Sequence, residues 1–107
     1  MPLIAHAARL LERIPGPVSD KWPMGERFAA ALSNGSMSVE LYAPYGSDPQ
    51  TPHEQDELYF IHAGTATLIL EGDRIACTAG SVCFVPAGAA HHFEAFSEDF
   101  QTWVVFW

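Results

Sequence analysis

The sequence has 107 residues, of which 13 are acidic and 5 are Lys or Arg, giving a formal net charge of −8 and an isoelectric point near 4.8. Its length suits one domain with one core. The acidity argues against nucleic acid or an anionic membrane surface as a partner, because both need clustered basic side chains. No apolar run reaches the roughly 18 residues of a transmembrane helix, and the N-terminus lacks the basic region of a signal peptide. We therefore expect a cytoplasmic protein.

The N-terminal segment, MPLIAHAARLLERIPG, predicts a short amphipathic helix, because its apolar residues recur at helical spacing. Pro15 and Gly16 end this helix, and Pro23 limits regular structure in the loop that follows. We assign residues 1–26 to the helix and loop and residues 27–107 to a single β-rich domain.

The rest of the chain is predicted to form seven or eight short strands separated by turns. Asn34-Gly35 indicates a hairpin between the first two strands, and Gly72-Asp73 indicates the turn of a second hairpin. Strand spacing of this kind is typical of an antiparallel sandwich or barrel. The last strand, TWVVFW, is so apolar that it should be central in a sheet or covered by another subunit.

The stretch TPHEQDELYFIHAG places His53 and Glu57 beside a strand that is apolar on both faces. A buried carboxylate at Glu57 needs a cation or several hydrogen bonds, and Arg74 or backbone amides are the alternatives to a metal. In a straight strand His53 and Glu57 would lie about 13 Å apart. They share one ion only if the chain bends or bulges at Gln55-Asp56.

A second stretch, GSVCFVPAGAAHHF, places a turn with Pro86 and Gly88 just before His91. Here the sequence resembles the cupin family, whose second motif is G-x5-P-x-G-x2-H-x3-N. Every gap of that motif is kept up to the histidine, although Ala95 replaces the final asparagine. Glu57, followed after six residues by glycine, and His53 fit the end of the family's first motif, G-x5-H-x-H-x3/4-E-x6-G.

The resemblance implies a double-stranded β-helix, which is a small jelly-roll barrel, over residues 27–107. It also implies one divalent metal ion inside the barrel, with His53, Glu57 and His91 as ligands. Two imidazoles and one carboxylate suit iron, manganese, zinc or nickel and leave positions open for water or substrate. The first histidine of the family's motif is replaced by Thr51 in this sequence.

Two functions remain open at this stage. The first is a metal-dependent enzyme acting on a small organic molecule, of the dioxygenase, isomerase or cyclase type. The second is a non-catalytic barrel that binds or senses a small molecule, which the loss of a ligand at Thr51 favours. The second function is possible with or without a bound metal. In either case Thr51, Gln55 and Tyr59 are candidate pocket residues.

The resemblance further implies a homodimer, since small cupins often pair through their sheets. Leu58, Phe60 and His62 fall on the outer face of their strand and are candidates for that contact. The alternative is that the N-terminal helix covers them. Cys77 and Cys83 are interpreted as apolar core residues, with a disulfide as the alternative.

Overall fold

The fold is an all-β jelly-roll barrel with one short N-terminal helix, as predicted. It is seen in a computed structural model that describes residues 3–107. The elements are α1 (Ala7–Leu11), β1 (Phe28–Asn34), β2 (Met37–Tyr42), β3 (Glu57–Ala63), β4 (Thr65–Leu70), β5 (Asp73–Thr78), β6 (Val82–Val85), β7 (His91–Glu94) and β8 (Gln101–Phe106).

The strands form two antiparallel sheets. The larger has the order β1-β2-β8-β3-β6, and the smaller has the order β5-β4-β7. The apolar C-terminal strand β8 lies between β2 and β3. Its hydrophobic sequence is therefore explained by a central position in the sheet, which was one of the two predicted alternatives.

Both predicted hairpins are present. β1 and β2 meet at Asn34 and Met37, around a glycine with a φ of +60°. β4 and β5 close at Leu70 and Asp73, so the turn consists of Glu71 and Gly72 and lies one residue earlier than predicted. Glu71 itself has a φ of +49°, a conformation that the sequence pattern did not indicate.

The main core lies between the inner faces of the two sheets. Tyr59 and Ile61 point inward from β3, and Leu68 and Phe93 point inward from β4 and β7. The Tyr59 and Phe93 rings meet edge to face, with their centroids 4.8 Å apart. Buried and more exposed residues alternate along β3, because every second side chain of a strand points to the same face.

The N-terminal helix is shorter than predicted, and only Leu10 of its five residues is buried. Leu10 packs with Ala29 and Leu41 on the outer face of the larger sheet. Leu3, which the helical pattern included, lies before the helix and is 87% exposed. No helix in the described chain has the length and apolar character needed to cross a membrane.

The two cysteines are free thiols on neighbouring strands of different sheets. Their sulfur atoms lie 3.5 Å apart. Cys77 is a core residue with 1% exposure, and Cys83 packs against the same core. This packing agrees with the interpretation of both residues as core fillers.

Candidate metal centre

Glu57 is the first residue of β3 and points into the barrel with only 1% exposure. It is held between two strands, because it pairs with Phe106 on β8 and with Val85 on β6. The strong β propensity of the following residues, LYFI, starts the strand here and fixes the direction of the Glu57 side chain. A carboxylate is thereby buried at the end of the apolar core.

His53 reaches the same place because the chain bends before β3 begins. The bend lies at Glu54 and Gln55, one residue earlier than expected. It is fixed by the turn before β7, since the Gly88 N–H donates to the His53 carbonyl at 2.8 Å and the Ala87 N–H donates to Asp56 Oδ1 at 2.8 Å. The two motifs are therefore joined through their backbones.

His91 is the first residue of β7 and is 4% exposed. Its Nδ1 lies 3.0 Å from the Ala89 carbonyl oxygen. A carbonyl oxygen can only accept, so Nδ1 must carry the proton of this hydrogen bond. In the neutral ring Nε2 then carries the lone pair, which is the arrangement of a metal-binding histidine with a supported ring orientation.

The three side chains converge on one point. One ligand atom from each of His53, Glu57 and His91 lies within 4.8 Å of the other two. His91 Nε2 is 2.7 Å from Glu57 Oε1, yet Nε2 and both carboxylate oxygens are buried without a hydrogen-bond partner. Two facing lone pairs at this distance repel each other, so the arrangement requires a proton or a cation between them.

This cluster fits a divalent metal ion. The donor set of two imidazoles and one carboxylate is the kind that binds iron, manganese or zinc. Arg74, the alternative partner considered for Glu57, is paired instead with Glu94 at 3.3 Å on the surface. Within the described chain, the buried Glu57 oxygens have no hydrogen-bond partner and are available to bind a cation.

The two imidazoles differ in their affinity for protons. Burial lowers the pKa of His53, so its ring is neutral and offers a lone pair at neutral pH. Burial also opposes protonation of His91, but the Glu57 carboxylate and the Ala89 carbonyl outweigh it and raise the pKa of His91. The negative charge of Glu57 raises the pKa of both rings, but at His53 the effect of burial is larger.

A cavity of about 530 Å³ opens beside this cluster, with His53 on its wall. Its lining combines aromatic rings with polar side chains from the loops and from β2. The aromatic rings are those of Trp22, Phe28, Tyr42 and Phe106, and the polar groups include Lys21, Glu40, Gln50, Glu54 and Gln55. Such a volume suits a small organic ligand.

A hydrogen-bond network supports His53 from the loop before it. Gln50 Oε1 accepts from the Tyr59 hydroxyl at 3.0 Å and lies 3.5 Å from His53 Nε2. The Gln50 amide donates to Asp48 at 2.8 Å, and Asp48 also accepts from the Tyr42 hydroxyl and from the Phe93 N–H. This network orients the loop that carries His53 against the barrel wall.

The three candidate pocket residues occupy different positions. Gln55 lies on the cavity wall and donates to the Ser36 carbonyl at 2.7 Å. Tyr59 is fully buried, and its hydroxyl reaches Gln50. Thr51 is exposed and is not among the residues that line the cavity.

Sequence reasoning missed Glu40, a carboxyl on the cavity wall. Burial, together with the nearby carboxylates of Glu57 and Glu26, raises the pKa of Glu40 to about 7. The signal was available, since Glu40 lies two residues before the inward-facing Tyr42 in a predicted strand. Gln50 and Asp48 carried no such signal, because they lie in an irregular loop.

His62 and His92 are two of the three histidines outside the cluster. His92 points away from His91 and lies 3.1 Å from Glu94 on the surface, with 40% of its side chain exposed. His62 is exposed on the outer face of β3. Both positions follow from strand alternation.

Comparison with known proteins places this geometry in a family. The sequence model of the family described as "Cupin domain" matches residues 38–106. The chain belongs to the cupin family. The cupin is also 44% identical over 77 residues to an uncharacterized protein of Streptomyces coelicolor, covering 70% of this chain and 73% of that protein.

Similarity to two other proteins is more distant. KdgF from Halomonas sp. superimposes on this cupin with a TM-score of 0.66 at 16% identity, over 74% of each chain, which shows a shared fold. The HTH-type transcriptional activator RhaS of Shigella sonnei is 31% identical over 61 residues. That match covers 57% of this chain but only 22% of the activator, so the cupin spans a small part of that relative's length.

Proposed function

We propose that this cupin is a metal-dependent enzyme that acts on a small organic molecule, of the dioxygenase, isomerase or cyclase type. His53, Glu57 and His91 would hold one divalent ion. The observation that carries this proposal is the group of buried polar atoms on Glu57 and His91 that have no hydrogen-bond partner in residues 3–107. A cation would explain their burial, because it would separate the facing lone pairs of Glu57 and His91 and compensate the buried negative charge.

When bound, such an ion would supply Lewis-acid or redox chemistry at coordination positions left open to the cavity. The chain's own residues would bind and orient the substrate. The aromatic wall would hold an apolar body and exclude water, and Gln55 would contact a polar group from the rim. Tyr59 and Gln50 would keep His53 in position through the network described above.

The first test is the metal content of the full chain purified without a metal-binding tag. We expect near-stoichiometric iron, manganese, zinc or nickel in the wild type. His91→Ala should lose most of it, because His91 supplies one of three ligands. His92→Ala is the matched control, since His92 is the next residue but lies half exposed on the opposite face, and it should keep the wild-type metal content.

Circular dichroism of both variants would check that each one folds. Little metal in the wild type, even after incubation with each of the four ions, would contradict the proposal. So would equal metal content in His91→Ala and His92→Ala. Turnover of a substrate panel that disappears with EDTA and returns with the native metal would then identify the reaction.

The second candidate function is a barrel that binds or senses a small molecule without turnover. It is favoured by the similarity to part of a transcriptional activator and by the exposed threonine at the first ligand position of the family's motif. It predicts ligand binding with no chemical change in any metal-loaded form. Product formation measured by mass spectrometry distinguishes the two functions.

We also propose that the cupin forms a homodimer through the outer face of β3 and β6. Phe60, Val82 and Phe84 are 40%, 57% and 51% exposed there. The face is apolar and uncharged in a chain whose net charge is −8, so a second copy can approach it with little repulsion. α1 packs on β1 and β2 and leaves Phe60 and His62 exposed.

A further inference from the structure

The cavity beside the candidate metal centre has a half-buried carboxyl group, that of Glu40, on its wall. We propose that Glu40 binds a hydroxyl group of a neutral, flat organic ligand in this cavity, and that the metal-free cavity discriminates against carboxylate ligands. This inference rests on the same cavity as the proposed function and names the class of molecule that the cavity takes.

Glu40 is fixed in its position by the sheet. It lies in the middle of β2, where it pairs with Ala30 on β1 and with Val104 on β8. Its side chain shares the inner face with Tyr42, and it lines the cavity together with His53. A ligand that approaches His53 therefore meets the Glu40 carboxyl.

The Glu40 carboxyl is half buried. The groups that act on it are the carboxylates of Glu57 and Glu26, and it has no hydrogen bond or ion pair to another described residue. A polar group in this position gains when a ligand supplies a partner. A hydroxyl group serves both protonation states of Glu40, because it donates to a carboxylate and accepts from a carboxylic acid. A methyl ether can do only the second, and an ionised carboxylate ligand repels the charged form.

Without a bound metal ion, the charge of the lining opposes the entry of anions. Glu40 and Glu54 lie on the wall and Glu57 lies behind it, whereas Lys21 is the one cationic residue of the lining. The negative potential of these carboxylates opposes the entry of another carboxylate. A neutral ligand meets no such barrier.

The remaining walls favour a flat apolar body. The Trp22 ring meets Phe28 and Tyr42 edge to face, with centroid separations of 5.8 and 6.2 Å. On another wall the Phe106 ring lies 5.0 Å from that of His53. These aromatic surfaces can contact a ligand ring through faces or edges, and the volume of about 530 Å³ holds a ligand with fused rings.

The test compares three probes with the same fused rings: 2-naphthol, 2-methoxynaphthalene and 2-naphthoate. Binding to the full chain is measured by isothermal titration calorimetry, as purified and after dialysis against EDTA. In the EDTA-dialysed protein we expect 2-naphthol to bind about tenfold more tightly than the ether, as one charge-assisted hydrogen bond allows. We expect 2-naphthoate to bind most weakly.

Two variants assign these preferences to one residue. Glu40→Gln should reduce the preference for 2-naphthol over the ether to about twofold and should strengthen 2-naphthoate binding. Glu54→Gln is the matched control, because it removes the same charge from an exposed position on the same wall. It should leave the preference for 2-naphthol over the ether unchanged.

The proposal is overturned if wild-type protein after EDTA dialysis binds 2-naphthoate as tightly as 2-naphthol, or prefers the ether. It is also overturned if Glu40→Gln and Glu54→Gln have the same effect. The comparison of the three probes on wild-type protein tests the proposal even if Glu40→Gln does not fold. Failure of this proposal and failure of the proposed function are distinguishable. A lack of metal contradicts the proposed enzyme, whereas the probe affinities in EDTA decide the role of Glu40.

Discussion

Burial and two neighbouring carboxyl groups change how Glu40 titrates. Glu57 is buried at the candidate metal centre, and Glu26 lies in the loop before β1. Glu40 lies on β2, in the cavity wall. Burial and these two neighbours raise the pKa of Glu40 from 4.5 to about 7. Glu40 therefore stabilises the fold while protonated and opposes it when ionised.

This shift predicts how stability depends on pH. The folded-state pKa of Glu40 is raised, so its contribution is fully present below pH 4.5 and is lost as the pH rises through about 7. Between pH 4.5 and 8 the free energy of unfolding of the wild type should fall by about 2–3 kcal/mol relative to Glu40→Gln. Urea unfolding of both proteins in EDTA measures this difference, and parallel pH profiles would contradict it.

Single residues were predictable from sequence where a motif or a strand marked them. His53, Glu57 and His91 were selected by their match to the cupin motifs, and the structure brings them together. Whether they bind a metal stays a prediction. Glu40 was missed although strand alternation points it inward, and Gln50 was missed because a loop residue has no periodic pattern that fixes its direction.

At the level of elements, the connection between β3 and β4 depends on Gly64. It links the two sheets in a single residue with a φ of +78°. A Cβ atom there would lie 2.5 Å from Ser97 Oγ and 2.7 Å from Phe100 Cα. The glycine that closes the family's first motif is thus required by both backbone conformation and close packing.

Gly64→Ala should therefore destabilise the fold by about 3 kcal/mol or more, through positive φ and collision with the backbone of Phe100. Gly72→Ala is the matched control. Its φ is +85°, but no atom lies within 4 Å of the added Cβ, so it should cost only about 1 kcal/mol. Thermal unfolding of both variants measures the difference, and equal losses would show that packing at Gly64 is unimportant.

The strands were predictable because period-two patterns and turn residues agreed along the chain. The length of the N-terminal helix was overestimated, because spacing alone cannot show that Leu3 has no surface to pack against. The bend that carries His53 inward was needed by the hypothesis but was placed one residue late. Its position is set by the hydrogen bond from Gly88, a contact 35 residues away in sequence that no local pattern encodes.

At the level of the whole molecule, the larger sheet is covered unevenly. α1 packs on β1 and β2 through Leu10, Ala29 and Leu41. At the other end of the sheet, β6 is an edge strand with two exposed apolar side chains, Val82 and Phe84. An apolar edge of this kind favours association with another chain.

Substitution of Phe84 tests whether a second copy covers this face. The Phe84 ring lies 6.3 Å from that of Trp107, which is 43% exposed, so the two rings extend one apolar surface. We expect a dimer in the wild type by size-exclusion chromatography with light scattering, and a monomer for Phe84→Glu, because each dimer would bury two uncompensated charges. Ile75→Glu is the matched control, since Ile75 is 38% exposed on the other sheet, and it should remain dimeric. A monomeric wild type, or a Phe84→Glu variant as dimeric as Ile75→Glu, would rule out this interface.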